Sequence, residues 1–241
     1  MQTVAFVTNV DHPWGKAVAE ELLVQGCRLV VNSPEGRSGP SGAMALQTRL
    51  DDPSRVEQAA VAIASALGPV DVLIHTDQVV ERTTLRSCDP ALVDRQLQAN
   101  LYTAFWCTQV FGHRMAQRRK GHLLYVSSIH DEKPTGSAAL YAMAKGALKM
   151  LAHEAAVALG AAGVRVNLLE LGAMAGDDAQ FGAGISPLYE NFAHKVIGRE
   201  PGPLTKVGAA VAGLLSDEVD FIHGADVRVD GGLLLYYGDA P

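Results

Sequence analysis

The chain predicts an α/β fold: one domain with a doubly wound parallel sheet and helices on both faces. Three observations carry that prediction. Short apolar, β-branched runs alternate with longer amphipathic helical patterns. The strand runs are apolar at nearly every position, as buried parallel strands require. A chain of 241 residues that is 48% hydrophobic also has enough apolar surface for one large core.

The elements follow in order. Val4–Val7 is the first strand candidate, and a helical pattern runs over Gly15–Gln25. Arg28–Val31 is the second strand, followed by a Gly/Pro/Ser loop over Ser33–Ala43. Asp52-Pro53 and Asp89-Pro90 are helix starts, each a capping carboxylate followed by proline in the first turn. They open helices over Pro53–Leu67 and Pro90–Arg118, with the strand Val72–Ile74 between them. The strand His122–Val126, the helix Ala138–Leu159 and the strand Arg165–Leu169 complete the centre. Gly172–Pro203, rich in glycine and proline, matches no regular pattern. Ligands bind at the carboxyl edge of such sheets, so residues 173–203 are read as a substrate lid. Leu204–Leu215 and Asp226–Val229 close the fold as a helix and a strand, and no internal repeat is present.

The net charge of −6 argues against a nucleic-acid partner. The basic run Arg114…Arg118-Arg119-Lys120 reads as a helix end, where cations complement the dipole. Cys27, Cys88 and Cys107 are odd in number and widely spaced, which suits reduced thiols and a cytoplasmic protein. No leader or membrane span is expected, because the N-terminus runs straight into a strand. His12, His75 and His130 lie in separate loops, a poor pattern for a metal, and none is expected.

The chemistry concentrates in Ser128 and Tyr141-Ala142-Met143-Ala144-Lys145. A phenol with an ordinary pKa near 10 is a poor proton donor or acceptor at neutral pH. A lysine four residues later on a helix shares its face and stabilises the phenolate. A serine ending the preceding strand can hold a substrate oxygen against that phenol. The set points to proton transfer at an alcohol or carbonyl oxygen.

Ser128, Tyr141-xxx-Lys145, Asn100, Arg165-Val166-Asn167 and Val229-Asp230-Gly231-Gly232 occur in an order that resembles the short-chain dehydrogenase/reductase family, over essentially the whole chain. The resemblance implies a Rossmann-like fold. It makes Tyr141 the acid/base, Ser128 the positioner of the substrate oxygen, Lys145 the tuner of the phenol and ligand of the nicotinamide ribose, and Asn100 the holder of a relay water. Read along the cofactor path, it assigns Thr8, Asn9, His12, Trp14, Gly15, Ser33, Arg49, Thr76, Lys145 and Gly172 to a dinucleotide, and Asp77, His130 and Met174 to the substrate pocket.

That path departs from the family pattern. The first loop is Thr8-Asn9-Val10-Asp11-His12-Pro13-Trp14-Gly15 in place of TGxxxGxG, and His75-Thr76-Asp77-Gln78 stands in place of Asn-Asn-Ala-Gly. Pro13 removes an amide donor, although it suits the first turn of a helix. Asn9 is a residue that tolerates left-handed backbone angles in a glycine's place. Ser33, rather than an acid, ends the second strand, so NADP(H) is expected over NAD(H), with Arg37 or Arg49 for the 2′-phosphate. The altered loop is also similar to that of the cofactor-free halohydrin dehalogenases, whose basic residue is arginine where this chain has Lys145. Three readings therefore stand: an NADP(H)-dependent oxidoreductase, a cofactor-independent lyase, isomerase or dehydratase using the same phenol, and a non-catalytic homologue. Relatives imply a homotetramer or homodimer, and the apolar end Leu233–Tyr237 suits an interface.

Overall fold

The computed structural model describes residues 2–37, 39–172, 174–175 and 196–235. Seven parallel strands form one sheet in the order β3-β2-β1-β4-β5-β6-β7. They are β1 (Val4–Val7), β2 (Arg28–Asn32), β3 (Met44–Leu46), β4 (Val72–His75), β5 (Gly121–Ser128), β6 (Val164–Leu171) and β7 (Asp226–Val229). The order reverses direction at β1/β4, the switch point where doubly wound sheets bind ligands. One strand escapes the sequence reading. β3 is a three-residue edge strand paired with Val30–Asn32, too short to carry a periodic signal.

Alternate residues of each buried strand feed two cores. Val4, Phe6, Val30 and Leu73 join Ile63, Phe111, Met115 and Leu148 on one face. Ala5, Val7, Val31 and Ile74 join Trp14, Leu22 and Val211 on the other. Helices α1 (Pro13–Val24) and α5 (Thr205–Leu215) cover the second face, while α2 (Pro53–Leu67) and α4 (Ala139–Gly160) contribute to the first. Asp52 caps α2 through the amides of Ser54 and Arg55, and Asp89 caps the next helix through Ala91.

The run expected as one helix over Pro90–Arg118 is helical throughout but not uniform. Its α segments Pro90–Leu97, Thr103–Cys107 and His113–Arg118 are joined by π turns at Gln98–Tyr102 and Thr108–Gly112, together α3. The first π turn carries Asn100. Such bulges insert a residue without ending the helix, so apolar periodicity reads through them.

Helix α4 is fixed at the sheet's carboxyl edge by Lys149, whose ammonium lies 2.6 Å from Glu170 on β6 and 2.8 Å from Glu132. One and two turns earlier on that face stand Lys145 and Tyr141. Of the lid, residues 173 and 176–195 lie outside the described residues. Among the described residues no helix is long and apolar enough to cross a membrane.

Candidate active site

Tyr141 and Lys145 rise from α4, and Ser128 ends β5, its carboxyl terminus turned toward that helix by the short 3-10 turn Ile129–Asp131. All three are buried. The Lys145 ammonium sits 5.5 Å from the centre of the Tyr141 ring. Burial, partly opposed by Asp77 and Asp131, lowers the Lys145 pKa to about 8. The amine is therefore charged at neutral pH, close enough to favour a phenolate. Its hydrogen bonds run to the main-chain carbonyls of Val126 and Asp77, at 3.4 and 3.5 Å.

Ser128 Oγ lies 2.9 Å from His130 Nδ1. Burial, then the charge of Lys145, holds His130 down at about 4, so its ring is neutral. A neutral imidazole either accepts from the serine or donates to it, according to tautomer. His130 also packs edge-on to the Tyr141 ring. It thus belongs to the site through Ser128 and Tyr141 together.

Asn100 does not touch Tyr141 or Lys145 in these bonds. Its amide donates to the Val79 and Gln96 carbonyls (2.8 and 2.9 Å), and its oxygen accepts from Val79 N (3.0 Å). It clamps the segment after β4. That segment carries the residues which replace the family's Asn-Asn-Ala-Gly.

Asp77 accepts from the Thr8 hydroxyl and from Asn9 Nδ2, and Thr8 accepts from Thr76 N at 3.0 Å. Thr76 ties itself to both amide and carbonyl of Asn9. Burial raises the Asp77 pKa to about 7, against the lowering by Thr8, Asn9 and Lys145. His75, fully buried and held neutral by desolvation, bonds Thr103 at 3.0 Å. Asn32 was missed in the sequence; its side chain joins the Thr8 carbonyl to both backbone groups of Thr48, locking β1 to the loop after β3.

The first loop keeps one requirement of a nucleotide-binding turn. A Cβ on Gly15 would lie 1.9 Å from the Asn9 carbonyl, so α1 approaches the β1 loop as only glycine allows. Asn9 itself is not left-handed; among the described residues the non-glycine positive φ values are at Arg119 and Arg199. Asp11 folds back, accepting from the Ser33 hydroxyl and from Glu35 N at 2.8 Å, while Arg37 bonds its carbonyl at 3.1 Å. Ser33 and Arg37 are thus engaged with Asp11 rather than presented to a ligand.

A cleft of about 670 Å³ runs along this edge, lined by Asn9, His12, Arg49, Asp77, Gln78 and Gln98 among others. His12 faces it, lowered to about 4 by burial and Lys145. Trp14 and Met174 are buried in the apolar cluster that also holds Tyr141. The Gly172 amide donates to the carbonyl of Val229 on β7 at 3.1 Å, and a Cβ on Gly172 would strike Asp230, just past that strand, at 2.5 Å.

Tested against a nicotinamide dinucleotide, the glycine-only approach at Gly15 and the cleft beside Arg49 fit its phosphate and adenosine parts. At the other end, the Tyr141 hydroxyl is already occupied: its Oη donates to Gln78 Oε1 at 3.0 Å. Gln78 escaped the sequence assignment of site residues. Its signal was a long polar side chain at a position where the resembling family has glycine.

Comparison with known proteins places the chain among relatives along nearly its whole length. The 2-dehydro-3-deoxy-D-gluconate 5-dehydrogenase of Formosa agariphila is 28% identical over 251 residues, covering 98% of this chain and 94% of its own. The 3-oxoacyl-(acyl-carrier-protein) reductase MabA of Mycobacterium avium is 27% identical over 228 residues, covering 94% and 88%. The structure of a gluconate 5-dehydrogenase from Burkholderia cenocepacia, solved with NADP and tartrate, superposes with a TM-score of 0.89 at 19% identity, covering 98% and 97% of the two chains. That likeness speaks to the fold. A family model described as enoyl-(acyl carrier protein) reductase matches residues 12–234, and with the Ser128–Tyr141–Lys145 site on that fold, the chain belongs to the short-chain dehydrogenase/reductase family.

Proposed function

We propose that this protein interconverts a secondary alcohol and a carbonyl, with Tyr141 as acid/base and NADP(H) as hydride carrier. The observation that carries the reading is the buried trio of Ser128, Tyr141 and a charged Lys145 at the carboxyl ends of the central strands. In reduction Tyr141 gives its proton to the substrate oxygen; in oxidation it takes that proton back. Ser128 hydrogen-bonds the same oxygen, and His130 orients the serine hydroxyl. Lys145 lowers the cost of the phenolate, an effect that fades above about pH 8 as the ammonium is lost. Thr8, Asn9, His12, Gly15, Arg49 and Thr76 would hold the dinucleotide, which when bound supplies or accepts hydride at the substrate carbon. Arg49 on the cleft supports NADP(H), whereas Ser33 and Arg37 are already bonded to Asp11 and Glu35.

The named relatives suggest the trial substrates: keto and hydroxy sugar acids on one side, 3-oxoacyl thioesters on the other. Nicotinamide fluorescence during titration with NADPH and NADH tests the carrier; no binding of either at millimolar concentration rejects it. Tyr141→Phe should lower kcat about 10²- to 10⁴-fold with the fold intact by circular dichroism.

A second reading is favoured by the Gln78–Tyr141 bond, which occupies the phenol with a side chain that also lines the cleft. It is proton transfer without a hydride carrier, as in a lyase, isomerase or dehydratase. Release of halide from a chlorohydrin panel without added cofactor tests it. A non-catalytic role is disfavoured by the assembled trio. The apolar residues exposed on α3 and α4 support a homotetramer, or at least a homodimer.

A further inference from the structure

We propose that Gln78 is a specificity-determining latch: its side-chain amide holds the Tyr141 hydroxyl, and only a ligand bearing a competing oxygen at that position displaces it. The inference rests on the reading of Tyr141 as acid/base. Three observations carry it. Tyr141 Oη donates to Gln78 Oε1 at 3.0 Å, with both residues buried. Gln78 lines the 670 Å³ cleft, while Ser128, Tyr141 and Lys145 do not. Gln78 therefore touches both the cleft and the hydroxyl of Tyr141. Finally, the segment bearing Gln78 is braced on both sides. Asn100 bonds both backbone groups of Val79, and Thr76, two residues before Gln78, bonds both backbone groups of Asn9. With its backbone held, Gln78 opens by rotation of its side chain.

Two states follow. In the closed state the phenol donates to an amide; in the open state it donates to a ligand oxygen, either a carbonyl or a ribose hydroxyl. A ligand that needs the open state binds with an affinity reduced by the open fraction. One buried neutral hydrogen bond sets that reduction at about threefold to tenfold. The same bond favours the neutral phenol over the phenolate, because it is donated by the O–H.

Gln78→Ala, and Gln78→Asn, whose arm is one methylene shorter, test the latch. The first readout needs no ligand: ultraviolet absorbance of Tyr141 against pH in the apoprotein, taken as the difference from the matching Tyr141→Phe protein. The second is the NADPH dissociation constant from nicotinamide fluorescence. Both variants should titrate Tyr141 at lower pH than the wild type and bind NADPH about threefold to tenfold more tightly. An unchanged Tyr141 titration overturns the latch. So does a lowered titration with unchanged NADPH affinity in protein that binds NADPH. If Tyr141 titrates lower but neither wild type nor variant binds any dinucleotide, the latch stands and NADP(H) is rejected as the carrier.

Discussion

Lys145 and Asp77 are ionisable groups buried within one site; burial displaces their titrations in opposite senses from the ordinary solvent-exposed values, and the charge of each partly opposes the other's shift. Burial lowers Lys145 to about 8, so between about 8 and 10.5 the unfolded chain binds more protons than the folded one. Stability contributed by this site therefore rises with pH across that window. Burial raises Asp77 to about 7, so between about 4 and 7 the folded chain binds more protons, and stability falls as pH rises through that range. Asp131 adds to the acid-side fall, and the lowered pKa values of His12, His122 and His130 oppose it, so each slope is read as the difference between wild type and variant in urea unfolding at a series of pH values. The wild-type stability minus that of Asp77→Asn should fall between about pH 4 and 7, and minus that of Lys145→Met should rise between about 8 and 10.5; a difference that stays flat with pH would contradict the assignment. At this scale the sequence was most informative where chemistry is local. Ser128, Tyr141 and Lys145 were legible because four-residue helical spacing and strand-end placement fix which side chains meet. The Ser128–His130 bond and the Thr8–Asp77 bond were not, since one depends on a turn and the other joins loops 69 residues apart.

The elements that build the site are held by close backbone approach as well as by side-chain bonds. Gly15 shows this most directly, with the Asn9 carbonyl 1.9 Å from where its Cβ would stand. Gly15→Ala must push α1 away from the β1 loop, and should cost about 1–3 kcal/mol in urea unfolding, the range for overpacking a filled space. A variant as stable as the parent would mean that the loop relaxes freely. The caps Asp52 and Asp89 were legible because capping chemistry is written in adjacent residues. The π turns in α3 were not, because an inserted residue leaves the apolar face nearly in phase. β3 was also hidden: its three residues form a strand only because β2 offers an edge.

At the scale of the whole molecule, helices α3 and α4 both carry exposed apolar side chains. Met143, Met150 and Val157 recur every seven residues along α4, and Tyr102 and Phe105 are exposed on α3. We propose this surface as the subunit interface. Met150→Glu should shift the light-scattering mass toward the monomer, and a wild-type protein that scatters as a monomer would remove the proposal. By itself the sequence determined the layered α/β order, the helix caps and the grouping of Tyr141 with Lys145 on one helix, because alternation, capping and helical spacing are short-range properties of the chain. Tertiary structure alone decided that Trp14 and Met174 are buried in one cluster with Tyr141, that Asp11 closes onto Ser33, and that Gln78 holds the Tyr141 hydroxyl. Those are meetings of residues far apart in the chain, and which side chain fills a shared space is settled only when the sheet edge brings them together.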